Sequence, residues 1–132
     1  MSAQPRPAFY ALDRGGWRDY VTVLHLPYTA WHLSYVALGA AAASTIHVDR
    51  LLAALGAFFL GVGVCAHALD ELHDRPLGTR LSDRALIVVA AVGLAGAVGI
   101  GVAGLFIVSP SLAPLVLAGA FILVAYNLEL FG

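Results

Sequence analysis

Asp70 and Asp74 stand four residues apart in the stretch 66–84, AHALDELHDRPLGTRLSDR, which holds four of the chain's eight acidic residues and three of its seven basic ones. If that stretch begins as helix, the two carboxylates share a face. Side by side they repel each other unless a cation lies between them. Magnesium suits such a pair, because it is commonly held by one or two carboxylates with water and phosphate oxygens at its other positions. Arg75 and Arg80, a turn or two beyond, could grip the same phosphates. The chemistry on offer is therefore Mg2+-assisted binding of a diphosphate. The competing reading is a solvated loop in which Asp70 or Asp74 pairs with Arg75 or Arg80, each pair contributing about 0–1 kcal/mol. Helical spacing turns Glu71 and His73 away from the aspartate face and brings His67 to within a turn of it.

Five histidines (25, 32, 47, 67 and 73) form the second candidate set. His25 and His32 are seven apart and share a helix face, and His67 could look across from another helix. Two facing imidazoles are what a bis-histidine haem needs. Imidazoles near membrane ends are also commonly satisfied by a carbonyl or by water. Tyr28, His32 and Tyr35, with His67, read either as the lining of a cavity or as a polar helix–helix contact. Cys65 is the single cysteine and serves as apolar filler. The sequence carries no Ser–His–Asp pattern, phosphate-binding glycine loop or CxxC, and no residue is assigned a catalytic role.

These groups must be positioned by membrane helices. The chain is 61% hydrophobic and 11% charged, with a mean hydropathy of +0.88. Soluble domains carry about 25% charged residues. The expected fold is all-α and polytopic, with four spans at about 21–44, 51–69, 85–108 and 112–130, preceded by a cytoplasmic, interfacial lead-in at 1–20. In that lead-in Phe9, Tyr10, Trp17 and Tyr20 alternate with Asp13, Arg14, Arg18 and Asp19, a pattern suited to the headgroup level. No cleavable signal peptide is legible in it. Pro27 should kink the first span. The glycines and alanines of the third span should let a neighbouring backbone approach closely. Ser111 is the expected cap of the fourth span.

Arginine placement sets the expected topology. Arg6, Arg14, Arg18, Arg75, Arg80 and Arg84 lie on one side and Arg50 alone on the other, so both termini and the acidic stretch are expected in the cytoplasm. All seven basic residues are arginine, and with the abundant Ala, Gly, Val and Leu this suggests a bacterial inner-membrane protein. No basic cluster suits nucleic acid. The expected partners are membrane lipid and other membrane helices.

The order of features resembles the N-terminal half of the UbiA-type intramembrane prenyltransferases. In that family the second helix ends in Asn-x-x-x-Asp-x-x-x-Asp, followed by Arg-Pro and a short Gly–Arg–Ser stretch. This chain reads Ala66-x-x-x-Asp70-x-x-x-Asp74, then Arg75-Pro76, Gly78, Arg80 and Ser82. The first span, LHLPYTAWHLSYVALGAAAA, is similar to the family's first helix, and Tyr126-Asn127 loosely matches a tyrosine after its fourth. The resemblance implies that Asp70 and Asp74 bind Mg2+ and an isoprenoid diphosphate, that Arg80 and Arg75 face that diphosphate, and that a prenyl group passes to an acceptor. Ala66 replaces the motif's asparagine. The family's second aspartate motif and about half of its nine spans have no counterpart here. A fragment, a split protein, or a subunit completed by a second copy or another chain is therefore expected. The alternative function is a non-catalytic membrane subunit or scaffold packing against a partner.

Overall fold

A computed structural model describes residues 7–129. They form five helices: α1 (Trp17–Val23), α2 (Leu26–Ala41), α3 (Val48–Asp74), α4 (Asp83–Ile107) and α5 (Ala113–Asn127). The all-helical expectation is met. Three helical stretches, Val48–Asp74, Asp83–Ile107 and Pro110–Asn127, are long and apolar enough to cross a membrane. Four were expected.

The missing span is the first one. Pro27 does not kink a continuous helix; it helps start a new one. Its lacking N–H and fixed φ fit the first turn, and it occupies that place in α2. His25, just before, adopts a left-handed backbone (φ 45°, ψ 52°) that separates α1 from α2. What remains of α2 is 16 residues. At 1.5 Å per residue that is about 24 Å, short of a hydrocarbon core of about 30 Å.

The second span is longer than expected and continues through Asp74, so the first half of the acidic stretch is helix. Its middle, Phe59–Ala66, is a π-helix, a wider winding that is rare at this length. Gly61, Gly63, Cys65 and Ala66 are buried there. α4 packs closely against it, as the small residues of that span lead one to expect. A Cβ on Gly93 would lie 2.7 Å from the Leu60 carbonyl oxygen and 2.9 Å from the Cys65 nitrogen, and one on Gly96 would meet Leu60 at 2.8 Å. Cys65 is accordingly core, with Val23, Ala68, Leu86 and Ala90.

α4 begins at Ser82, whose hydroxyl accepts from the Ala85 N–H. At the opposite turn the cap is Ser109, not Ser111: its hydroxyl accepts from Ser111 N–H, with Pro110 opening a short 3-10 turn before α5. Outward faces of α4 and α5 expose Val92, Phe106, Leu115, Leu117, Phe121 and Ile122, as lipid-facing helices do. Leu130 and the residues after it lie outside the described residues, as does Arg6.

Candidate functional site

The stretch after α3 is an ordered platform, and the residue that orders it is Glu71. Its side chain is completely buried. One carboxylate oxygen accepts from the Thr79 N–H at 2.7 Å and the Thr79 hydroxyl at 2.8 Å, the other from the Leu77 N–H at 2.9 Å. Burying a carboxylate is tolerable only when its lone pairs are occupied in this way. A second buried carboxylate, Asp19 on α1, accepts from Gly15 N–H at 3.0 Å and from Arg80 N–H at 3.0 Å. Thr22 accepts from Leu12 N–H. The lead-in, α1 and the loop 75–82 are thereby tied to one another around the end of α3.

Between the lead-in and helices α2 and α3 this leaves an open cleft of about 550 Å³. Tyr28 and His32 of α2, His67 and Asp70 of α3, His25 at the α1–α2 joint and Phe9 and Tyr10 of the lead-in line it, with Pro76 and Leu77 of the loop. Three of the four expected cavity residues (Tyr28, His32 and His67) are here. Tyr35 is elsewhere on α2, where its hydroxyl accepts from the Trp31 indole N–H at 2.8 Å.

Asp70 and Asp74, four apart on α3, have different surroundings. Asp70 stands on the cleft wall. Asp74 lies outside that lining, exposed, 3.8 Å from the His73 ring nitrogen, which also stands 3.6 Å from Glu129. Arg75 is engaged away from the cleft: it pairs with Asp83 and donates to the Leu81 carbonyl. Arg80 is exposed at its side chain and enters the platform through its backbone. Among the described residues Arg75 thus pairs with Asp83 at the start of α4, in place of a pair to Asp70 or Asp74.

The cleft histidines are held by their Nδ1 atoms. His67 Nδ1 lies 3.2 Å from the Gly63 carbonyl and 3.4 Å from the Thr29 hydroxyl, which itself donates to the Leu24 carbonyl at 2.6 Å. Both neighbours of Nδ1 therefore accept, which places the proton on Nδ1 and leaves Nε2 as an acceptor in the neutral ring. His32 Nδ1, 2.7 Å from the Tyr28 carbonyl, is in the same tautomer. His25 Nδ1 is 3.0 Å from the Tyr10 hydroxyl, while its Nε2 is buried without a hydrogen-bond partner.

His25 and His67 stack, with ring centroids 4.3 Å apart and planes 16° from parallel. A metal ion is bound in the plane of an imidazole. Two stacked, nearly parallel planes do not meet near the rings, so this pair is not arranged as two ligands of one iron. Tyr10 closes the wall, edge-on to Phe9 at 5.3 Å and to Tyr28 at 6.1 Å. Burial above all, then Tyr28 and the negative charges of Asp70 and Glu71, raise its hydroxyl above the ordinary phenol range.

Sequence reasoning set Glu71 aside because it pointed away from Asp70 and Asp74. A signal was present: a carboxylate turned toward the small-residue side of a membrane helix must be met by donors, and the loop just after it supplies Thr79 and free amides. No family model, curated protein or solved structure matches the chain.

Proposed function

We propose that the protein binds the polar head of a membrane amphiphile in the cleft beside Asp70, with an isoprenoid diphosphate carried by Mg2+ as the ligand that the sequence resemblance suggests. The observation that supports this is the cleft of about 550 Å³ with Asp70 on its wall, bordered by exposed apolar helix surface. A polar mouth above greasy faces suits a molecule with one charged end and a hydrocarbon tail. Asp70 would be the ion's ligand from the chain, with water and phosphate oxygens completing its shell. The ion's chemistry there would be to offset charge on the diphosphate. Asp74 and Arg80 would act from the rim. Prenyl transfer to an acceptor is the further part of this reading, and it requires a second half, from another chain or a second copy.

The test is binding of farnesyl thiodiphosphate to the full chain in nonionic detergent, with and without Mg2+. Binding should require Mg2+ and weaken about tenfold or more in Asp70→Asn, the loss expected for one charge-assisted contact. Asp74→Asn should lose less, because Asp74 stands off the wall. Equal affinity in all three proteins would reduce the acidic stretch to a solvated loop.

A scaffold role is favoured by a separate observation. Only 6% of the Pro110–Asn127 stretch is buried within the chain, and α2 exposes Trp31, Tyr35 and Leu38 along one side. Faces of that kind suit a partner's helices. In this reading cross-linking from Tyr35 would capture another membrane protein, and diphosphate would not bind.

A further inference from the structure

We propose that the cleft also takes a different ligand, a single-chain amphiphile whose head is a primary ammonium group. This does not rest on the diphosphate reading. Asp70 is the one charged residue on the wall among the described residues, with no arginine or lysine beside it. Arg75 is spent on Asp83 and Leu81. An uncomplexed anion is therefore repelled here and a cation is drawn in.

The neutral part of the wall makes the same selection. His32 and His67 each donate the Nδ1 hydrogen to a main-chain or hydroxyl oxygen, so in each neutral ring of this wall Nε2 is the accepting atom. Acceptors call for a ligand rich in N–H. Tyr10, Tyr28 and Phe9 line the cleft as well, and aromatic rings attract organic cations with either head, so the choice between heads rests on the acceptors. The tail has a path: the turns of α2 after His32 expose Tyr35 and Leu38.

The test uses decylammonium, decyltrimethylammonium and decyl sulfate, each titrated calorimetrically into the full chain in nonionic detergent, with empty micelles subtracted. Decylammonium should bind saturably, at least tenfold more tightly than the other two. Trimethylation keeps the charge and removes every N–H, so equal binding of that head overturns the proposal, as does equal binding of the sulfate. Asp70→Asn should weaken decylammonium about tenfold, and His32→Phe by a smaller factor. Both positions are exposed, so folding is checked by an unchanged helical spectrum. No loss in Asp70→Asn also overturns it. Mg2+ should compete, since both cations use Asp70. Asp74→Asn separates the two readings, because it leaves ammonium binding unchanged and reduces diphosphate binding. Absence of any Mg2+-dependent diphosphate binding defeats that reading alone.

Discussion

Replacing Glu71 should unmake the platform at the mouth of the bundle. In Glu71→Ala the N–H groups of Leu77 and Thr79 and the Thr79 hydroxyl lose their acceptor at once. Hydrogen bonds to a charged group contribute about 1.5–3 kcal/mol each, and a buried donor left unmet costs about 1–3 kcal/mol. The three are not additive, because Thr79 is 9% exposed and sits where water can enter. A net loss of about 3–5 kcal/mol is expected, the sum for roughly two buried donors left unmet. Glu71→Gln should lie between, at about 1–3 kcal/mol, since its amide keeps one accepting oxygen and turns a donor toward donors. The exposed Asp74→Asn should cost no more than about 1 kcal/mol. The assay is unfolding in mixed micelles by added dodecyl sulfate, with hydrogen exchange followed at the Leu77 and Thr79 amides. If Glu71→Ala costs no more than Asp74→Asn, or those two amides stay protected without the carboxylate, the assignment of Glu71 as the organising residue is wrong.

Asp19→Ala should cost about 1–3 kcal/mol through the freed Gly15 and Arg80 amides, as read by the same unfolding assay. Combined with Glu71→Ala it should cost less than the sum, because both hold one loop through adjacent residues, Thr79 and Arg80. Gly93→Ala, whose added carbon would press on backbone of the π-segment, should lower stability by about 1–3 kcal/mol, whereas Gly99→Ala, with nothing within 4 Å, should stay within about 0.5 kcal/mol of wild type. Tyr10 should ionise later than a free phenol in an ultraviolet titration, and that late component should vanish in Tyr10→Phe. Its raised folded value means that the unfolded chain releases this proton first, so stability falls as the pH climbs past about 10.

Apolar runs and small-residue stripes make the bundle legible: they bound α4 to within two residues, and its Gly93 and Gly96 face α3 as their size implies. Pro27 was read correctly as a disruption and wrongly as a kink, because a proline early in a segment is equally compatible with a helix start. The π-winding has no composition signature, since its residues would serve an α-helix as well. For the site, placing Tyr28, His32, His67 and Asp70 together needed only facing helices. Diverting Arg75 to Asp83 needed the path of the loop, which depends on Glu71 meeting amides just after it and on Asp19 meeting one far along the chain. Arg80 N–H reaches Asp19 across 61 positions, a contact no local pattern announces.

The eight π-wound residues of α3 act like a change of thread on a screw. Everything beyond them is indexed by how far that coarser thread advances, so His67, Asp70 and Glu71 share one angular setting. Trimming a single residue between Phe59 and Ala66 would let the coil tighten to ordinary pitch, and all three would swing together, the carboxylate leaving its amides as the imidazole leaves its stack. A substitution along this stretch is felt where it packs, while a change in its length is felt by every group that follows.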